Sequence, residues 1–342
     1  MSNGIIELTF ARLREFVREP EAIFWTFLFP ILMSVAMAVA FPSRGASPVV
    51  VAVEEGSGAA GVRAVLQGVE GIEIRDIAAD RQAAALREGE VHLVVVAGAP
   101  PTYRYDPARD ESRVARLTVD DALKRAAGRT DPFTARDDTV VVPGSRYIDW
   151  LVPGLLGLGI MSTGMWGVGF SIVQTRMRKV LKLLVASPMR KHEYLAAQLL
   201  ARLVFLAPEV SIPLGFAAMA LGVPIVGSFG AIAVVSLVGA LAFAAIGLLA
   251  ASRARTFEAI SGLMNLLMTP MWILSGVFFS SANFPDAIQP FIQALPLTAL
   301  NDALRAVILE GATVAEVRGE LALLGGWAAV PFGAALALFR WR

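Results

Sequence analysis

Six long apolar runs constrain the fold of this 342-residue chain more than any other feature of its sequence. They cover residues 23–41, 149–173, 199–221, 228–251, 259–280 and 321–339. A helix needs about 20 mainly apolar residues to cross the hydrocarbon core of a bilayer. Apolar residues make up 56% of the chain and charged residues only 17%, a composition too apolar for a soluble protein. The sequence therefore predicts a polytopic α-helical membrane protein with six transmembrane helices.

Residues 42–147, between the first two apolar runs, have a different composition. Charges of both signs are interspersed, and short β-branched runs at 49–53 and 91–96 are typical of buried strands. Helical patterns cover residues 61–69, 78–89 and 111–128. Strands that alternate with helices indicate a small α/β domain. Its position after the first span predicts that this inserted domain is extracytoplasmic.

The connection between the second and third runs, residues 174–198, is strongly basic. Its cationic residues include Arg176, Arg178, Lys179, Lys182, Arg190 and Lys191. Because Lys and Arg near span ends stay in the cytoplasm, the loop is predicted to be cytoplasmic. A short interfacial helix is expected at 179–185, and Ser187-Pro188 is a typical start of a second one. The loop is either a topology anchor alone or also a docking surface for a cytoplasmic partner.

Residues 1–22 carry the pattern of an amphipathic helix. Apolar residues recur on one helical stripe at Ile6, Phe10, Leu13 and Val17. Basic residues off that stripe are Arg12, Arg14 and Arg18. This pattern predicts an N-terminal interfacial (elbow) helix lying in the membrane surface, with Pro20 breaking it before the first span.

The same N-terminal region has an alternative interpretation as a signal peptide. Arginines, an apolar run and Ala38-Val39-Ala40 occur in the order that a cleavable signal requires. The apolar run is longer than the about 7–15 residues of such signals, which favours a membrane span.

The basic clusters define one orientation. With six spans, the N-terminal arginines, the loop 174–198, Arg253 with Arg255, and Arg340 with Arg342 all fall on one side. Inverting the chain would place every cluster outside the cytoplasm, so both termini are predicted to be cytoplasmic.

Four of the polar residues within the apolar runs are candidates for a functional role. Arg202 and Glu209 fall in the third run, and Asn265 and Thr269 in the fifth. A charge at the centre of a membrane helix costs about 2.5–3.5 kcal/mol on insertion scales, so such a side chain faces protein or water. All four are candidates for a translocation path. Glu209 is alternatively a structural partner of another helix, and pairing with Arg202 is expected only if the helix unwinds at Pro208.

Two further patterns concern packing and metal binding. The second run is rich in glycine, which predicts close packing against a neighbouring helix, from this chain or a second copy. The chain has no cysteine and only His92 and His192, far apart, so no disulfide and no histidine-based metal site is expected.

Residues 282–319 connect the fifth and sixth runs on the extracytoplasmic side. Two amphipathic stretches, 289–295 and 299–309, are predicted to be short helices that dip into the outer membrane interface.

Three stretches carry a family resemblance. They are Tyr147-Ile-Asp-Trp-Leu-Val-Pro153-Gly154, Leu184-Val-Ala-Ser-Pro188-Met-Arg190, and Leu274-Ser-Gly-Val-Phe-Phe-Ser-Ser-Ala-Asn-Phe-Pro285 continuing to Leu295-Pro-Leu-Thr298 and Leu304-Arg305. In this order, with six spans and a domain after the first, the chain resembles the permease subunits of ATP-binding-cassette (ABC) type-2 transporters. The family's loop often reads Glu-Arg-Glu-x-Gly-Thr, whereas this chain has Gln174-Thr-Arg176-Met-Arg178-Lys179.

The resemblance implies a division of labour. The chain lacks a G-x-x-x-x-G-K-[ST] phosphate loop, so it is expected to be no enzyme by itself and to bind no cofactor. A separate cytoplasmic ATPase would hold ATP-Mg and dock on the interfacial helix and the loop. The loop residues implied in this coupling are Arg176, Arg178, Lys179, Lys182, Ser187, Pro188, Arg190, Lys191 and Glu193.

The implied domains are residues 1–22, 23–41, 42–147, and a five-helix transmembrane domain, 148–342, that carries the coupling loop 174–198 and the outer helices of 282–319. Two copies, or two related chains, would form an exporter of a drug, lipid or glycan in a prokaryotic inner membrane, with no nucleic-acid partner. The alternatives are an ion-coupled secondary transporter, against which the lack of an internal repeat argues, and a membrane-anchored receptor or assembly protein.

Overall fold

The computed structural model of the protein describes residues 14, 18, 20–41, 48–98, 100–130, 133, 144–178 and 191–338, with residues 22 and 191–199 described by their backbone only. The chain divides into two compact units. Met1–Ser43 with Val141–Arg342 form what we call the membrane unit, and Arg44–Val140 form the α/β unit.

Helix α1 opens the membrane unit. It consists of Pro20–Ile23 and Phe29–Ala40, joined by the π-helical turn Phe24–Leu28. Proline is tolerated in the first turn of a helix because its missing N–H has no helical partner there. Of the predicted interfacial helix before Pro20, the structure describes Arg14 and Arg18, both exposed. The Arg18 N–H donates to the Arg14 carbonyl at 3.2 Å.

The α/β unit contains a four-stranded sheet in the order β2-β1-β3-β4. Its elements are β1 (Val49–Glu54), α2 (Ala59–Gln67), β2 (Ile72–Ile74), α3 (Gln82–Glu88), β3 (Leu93–Val96), β4 (Thr102–Arg104) and α4 (Asp110–Ala126). The β1 strand pairs in parallel with β2 and β3, and β4 is antiparallel to β3. Val51 and Val53 pack against α2 and α4, while Ala52 and Val94 pack against α3, so helices cover both sheet faces.

Two of these strands have no counterpart among the predicted ones. β2 and β4 are three residues long, and each has exposed or half-exposed side chains throughout. Strands so short at the sheet edges lack the buried β-branched run by which β1 and β3 are recognised.

Five helices of the described chain are long and apolar enough to cross a membrane. They are α5 (Tyr147–Met177), α6 (Lys191–Ala220), α7 (Phe229–Ala251), α8 (Phe257–Leu274) and α11 (Arg318–Leu338). A bent pair, α9 (Gln289–Ala294) and α10 (Pro296–Glu310), lies between α8 and α11 and turns the chain by 84°. The protein is thus a helical membrane protein with five spans in the described part, or six if the bent pair is one.

The spans differ from the prediction in two respects. Five predicted runs correspond to the five long helices, but the first run forms α1, whose apolar part, Phe24–Ala40, is shorter than a full span. The helix that corresponds to the fifth predicted run, α8, also ends earlier than predicted, at Leu274 rather than near residue 280.

Helix α5 is the centre of the membrane unit, because α1, α6, α7, α8 and α10 all pack against it. Its glycines permit this. A Cβ at Gly157 would overlap the Asn301 side chain, and one at Gly164 would lie 2.9 Å from the Cβ of Phe243. The glycine-rich face therefore packs against helices of the same chain.

Helix α10 begins deep in the membrane unit. We call the end of the bundle opposite the loop 174–198 the far face; α5, α7 and α11 begin there. Leu297 packs at Gly157 and Leu300 at Gly239, each ten residues after the start of α5 or α7. At 1.5 Å per residue this is about 15 Å, half of a hydrocarbon core of about 30 Å.

Two hydrogen bonds support this placement. Trp327, nine residues into α11, donates its indole N–H to the Ala294 carbonyl at 2.9 Å, at the break between α9 and α10. The carbonyl of Ile308 accepts from the N–H of Val226, in the far-face turn between α6 and α7, at 2.8 Å. The α10 helix thus runs from mid-membrane back to the far face.

A helix is present over the predicted residues 299–309, but its side chains do not have the exposure of a surface helix. Most side chains of α10 are buried in the membrane unit, including those of Thr298, Asn301 and Arg305. The pattern looked amphipathic because Thr298, Asn301 and Arg305 interrupt it, but these residues face protein rather than water.

Candidate functional site

Arg202 and Glu209 form a buried ion pair within α6. Nη1 of Arg202 donates to Oε2 of Glu209, and the two side chains are only 8% and 3% exposed. The hydroxyl of Thr163, on α5, donates to the other carboxylate oxygen of Glu209. Nη2 of Arg202 donates to the carbonyl of Ile160 at 3.3 Å, so the pair also joins α6 to α5.

The helix need not unwind for this pair to form, contrary to the prediction. α6 is continuous from Lys191 to Ala220, and Pro208 lies inside it. Seven residues of helix separate the two Cα atoms by about 10.5 Å along the axis. The arginine and glutamate side chains together bridge that distance, which corresponds to about two helical turns.

Asn265 and Thr269 lie on a different surface. Both are exposed on α8, on the same helical face as the exposed Glu258 and Gly262. The opposite face of α8 is buried through Ile260, Met264, Met268 and Met271. The structure therefore separates the four predicted path residues into a buried pair on α6 and an exposed polar face on α8.

Two arginines cap neighbouring helices from the two ends of α5. Arg176, near the loop end, donates to the carbonyls of Ala251, Ser252 and Ala254, where α7 ends. The carbonyls that end a helix have no helical partner and carry its negative dipole, so a guanidinium stabilises them. The family resemblance implies that Arg176 takes part in ATPase coupling. In the structure its guanidinium is bound within the membrane unit, whereas Arg178 is exposed.

Arg146 does the same at the far face. It donates to the carbonyls of Leu221 at 3.1 Å and Gly222 at 2.6 Å, where α6 ends. Its guanidinium also pairs with the buried carboxylate of Asp149 at 2.7 Å. Hydrogen bonding to Asp149 raises the pKa of Arg146 above its usual value.

Most other loop residues proposed for ATPase coupling lie outside the described part of the chain. These are Lys179, Lys182, Ser187, Pro188 and Arg190, together with both predicted loop helices. Lys191 and Glu193 fall in the first turn of α6, where the backbone alone is described. Arg12 of the interfacial helix is likewise outside the described residues.

A second buried polar cluster surrounds Arg305 on α10. Its guanidinium carbon lies 3.6 Å from the ring centroid of Trp150, at the start of α5. Nε donates to the Trp150 carbonyl at 3.4 Å, and Nη2 donates to the Gly276 carbonyl just after α8. One turn earlier, Asn301 donates to the carbonyl of Ser275 at 2.8 Å.

Sequence reasoning did not assign a role to this cluster. Arg305 lies within a family stretch, but its main partners are an aromatic face and backbone carbonyls. Such acceptors leave no charge pattern in the sequence. The carboxylate of Asp302 lies 3.6 Å away, one turn along α10, and could have been found from spacing.

The irregular chain after α8 is fixed by side chains from other helices. Besides Ser275 and Gly276, the carbonyl of Phe278 accepts from the Tyr147 hydroxyl at 3.0 Å. Gln289 donates to the carbonyls of Ser281 and Phe284. Non-helical backbone at membrane depth is tolerated only where protein satisfies its polar groups, and these bonds do so.

The described residues contain no group of three or more His, Asp or Glu side chains arranged to hold a metal ion. The buried polar groups described above bind helix ends and one another, an arrangement that positions helices.

Comparison with curated proteins gives relatives of one kind. Nodulation protein J of Bradyrhizobium diazoefficiens is 37% identical over 113 residues, 33% of this chain and 42% of that protein. Nodulation protein J of Rhizobium meliloti is 34% identical over 112 residues. The inner membrane transport permease YadH of Escherichia coli is 29% identical over 157 residues, 44% of this chain and 57% of that protein. The chain thus spans about half the length of these relatives.

A family match covers a longer part of the chain. The family described as ABC-2 type transporter matches residues 119–309, more than half of the 342 residues. The match includes the helices α5 to α9 and nearly all of α10. This agrees with the resemblance carried by the three stretches at 147–154, 184–190 and 274–305. The chain belongs to the ABC-2 type transporter family.

Proposed function

We propose that the protein is the membrane-spanning half of an ATP-driven exporter that works as two copies with a separate cytoplasmic ATPase. The substrate would be hydrophobic or amphipathic, such as a drug, a lipid or a glycan. The observation that carries the proposal is the exposed polar face of α8, which holds Glu258, Gly262, Asn265 and Thr269.

Exposure of this polar face to lipid would cost free energy. α8 is long and apolar enough to span the membrane, yet only 22% of its residues are buried within the chain. An amide and a hydroxyl on the uncovered side need a polar partner or water. A second copy that faces the first through α8 would supply both, with the path for the substrate between the two helices.

The Arg202–Glu209 pair serves a different purpose in this proposal. Its charges are satisfied inside one chain and hardly accessible, so it holds α6 to α5 rather than lining the path. Asn265 and Thr269 remain as path residues.

The proposed orientation follows the basic clusters. Exposed Arg178, Arg253 and Arg255 lie at the loop end of the bundle, which we assign to the cytoplasm together with both termini. The far face and the α/β unit are then extracytoplasmic. The name of YadH, an inner membrane permease, supports the same membrane for this chain.

Dimer formation through α8 gives a direct test. Because the chain has no cysteine, a Thr269→Cys variant carries one thiol per copy. We expect a short bifunctional maleimide to link two copies in native membranes. Val330→Cys on α11, also exposed at 73%, is the matched control and should not link. Equal linking at both positions, or none at Thr269→Cys, would contradict pairing through α8.

Docking of the ATPase can be tested by charge reversal in the loop. Replacing both Arg190 and Lys191 by glutamate should release the ATPase from the tagged permease during purification in mild detergent, because a cationic docking surface would become anionic. Mass spectrometry of the co-eluting proteins measures this. Reversing Arg253 and Arg255, exposed at the same end of the bundle, is the control. Unchanged ATPase recovery in the loop variant, or equal loss in the control, would refute the docking assignment.

A further inference from the structure

Arg305 connects three helices at one point. It belongs to α10, its guanidinium stacks on Trp150 of α5, and it donates to the Gly276 carbonyl that follows α8. The side chain is only about 5% exposed. A buried arginine in a membrane protein is costly unless its donors are used, and here they face a π-system, two carbonyls and the Asp302 carboxylate.

The contacts of Arg305 fix the far end of α8. Two side chains one turn apart on α10 donate hydrogen bonds to the first two residues after α8. Asn301 donates to the carbonyl of Ser275, and Arg305 donates to the carbonyl of Gly276. The main chain of Val277 also lies against α5, where a Cβ at Gly154 would be 2.7 Å from its carbonyl oxygen. The far end of α8 is therefore tied to α5, in large part through Arg305.

The near end of α8 is tied to α5 as well. Phe170 of α5 stacks on Phe257, the first residue of α8, with ring centroids 4.5 Å apart. Arg176 of α5 donates to the carbonyl of Ala254, three residues before α8 begins. Helix α5 leads directly into the loop 174–198, so the helix that receives movement from the loop holds α8 at both ends.

We propose that Arg305 is a positioning residue for transport, which passes movement of α5 on to the far half of α8. This rests on the proposed function, in which the ATPase acts on the loop and α8 lines the path. Without Arg305 the near-end contacts of α8 would remain. Its far end would keep only the Tyr147–Phe278 hydrogen bond and the packing of Val277 on α5, which we expect to be too weak to make the far half of α8 follow α5.

The chemistry requires arginine in particular. A planar guanidinium stacks on the indole ring and donates to carbonyls on both sides at once, whereas an ammonium group offers a point charge without a stacking face. Arg305→Lys keeps the charge and should still lose the coupling. A purely structural need for a positive charge would be met by lysine.

The experiment uses two single-cysteine reporters in the otherwise cysteine-free chain, each carrying a polarity-sensitive maleimide dye. Ile273→Cys, at an exposed site near the far end of α8, reports on α8. Met177→Cys, at the exposed loop end of α5, reports on α5. Open membrane fragments that contain the whole transporter are given ATP with vanadate, and the shift in dye emission is recorded.

With Arg305 present, both reporters should shift. With Arg305→Lys or Trp150→Leu, the shift at Met177→Cys should persist and the shift at Ile273→Cys should be lost. Arg318→Ala, which removes an exposed arginine at the far face, should leave both shifts intact. Two altered residues are used so that poor accumulation of one variant does not decide the outcome.

The remaining outcomes separate this inference from the proposed function. If both reporters still shift in the Arg305 and Trp150 variants, Arg305 does not couple the helices. If both shifts disappear together in these variants, Arg305 supports the fold as a whole and the positioning role is refuted. If neither reporter shifts even with Arg305 present, the ATP-driven mechanism itself fails, and the inference fails with it.

Discussion

Replacing Glu209 by leucine is expected to lower the free energy of unfolding by about 3–5 kcal/mol, because it leaves the buried charge of Arg202 without its partner. Arg202 is only 8% exposed, and its remaining bond is to the carbonyl of Ile160. The leucine also removes the acceptor for the Thr163 hydroxyl on α5. Unfolding of the detergent-purified protein by a denaturing detergent measures the loss.

A double variant separates the charge effect from packing. Changing Arg202 to methionine together with Glu209 to leucine removes both charges, and most of the lost stability should return. Glu310→Leu, which removes an exposed carboxylate at the end of α10, should change stability by no more than about 0.5 kcal/mol. A double variant as unstable as Glu209→Leu would show that shape, not charge, governs the site.

Glu209→Gln distinguishes the two roles that the sequence leaves open. Glutamine keeps the size and an acceptor for Thr163 but cannot neutralise Arg202, so a structural pair predicts reduced stability. A path residue predicts altered transport with unchanged stability. The geometry favours the first result, since the carboxylate is 3% exposed and both its oxygens are bonded within the chain.

The apolar runs predicted the long helices well because their signal is local. About 20 successive apolar residues are enough to identify a span, whatever surrounds it. The same reasoning did not predict the burial of α10, whose depth depends on glycines at 157 and 239 that admit Leu297 and Leu300. Those glycines lie far away in the chain, and the pattern of α10 alone resembles a surface helix.

The candidate polar residues could be predicted because their signal is also local. Their separation into a buried pair on α6 and an exposed face on α8 could not be predicted. A charge in an apolar run is visible in the sequence, so Arg202, Glu209, Asn265 and Thr269 could all be selected. Whether each faces its own bundle or the outside is decided by packing. Arg176 shows the limit most clearly, since its partners are carbonyls at the end of α7 and a carbonyl has no sequence signature.

Gly157→Ala tests the packing that holds α10 at mid-membrane. We expect overpacking to lower the free energy of unfolding by about 1–3 kcal/mol. A Cβ at this position would overlap the Oδ1 of Asn301 and lie 3.5 Å from Leu297. To make room, either the Asn301 side chain must rotate or α10 must shift away from α5. Both changes break the bond from Asn301 to the Ser275 carbonyl, and a shift of α10 also weakens the stacking of Arg305 on Trp150.

Gly167→Ala is the matched control on the same helix. Gly167 is exposed and has open space where a Cβ would be added. Alanine is the better helix former by about 1 kcal/mol, so this variant should be as stable as the parent or slightly more stable. If Gly157→Ala behaves like Gly167→Ala in the same unfolding measurement, α10 does not pack against α5 at this depth. In that case the placement of Arg305 against Trp150 would have to be revised as well, because both rest on the same contact between the two helices.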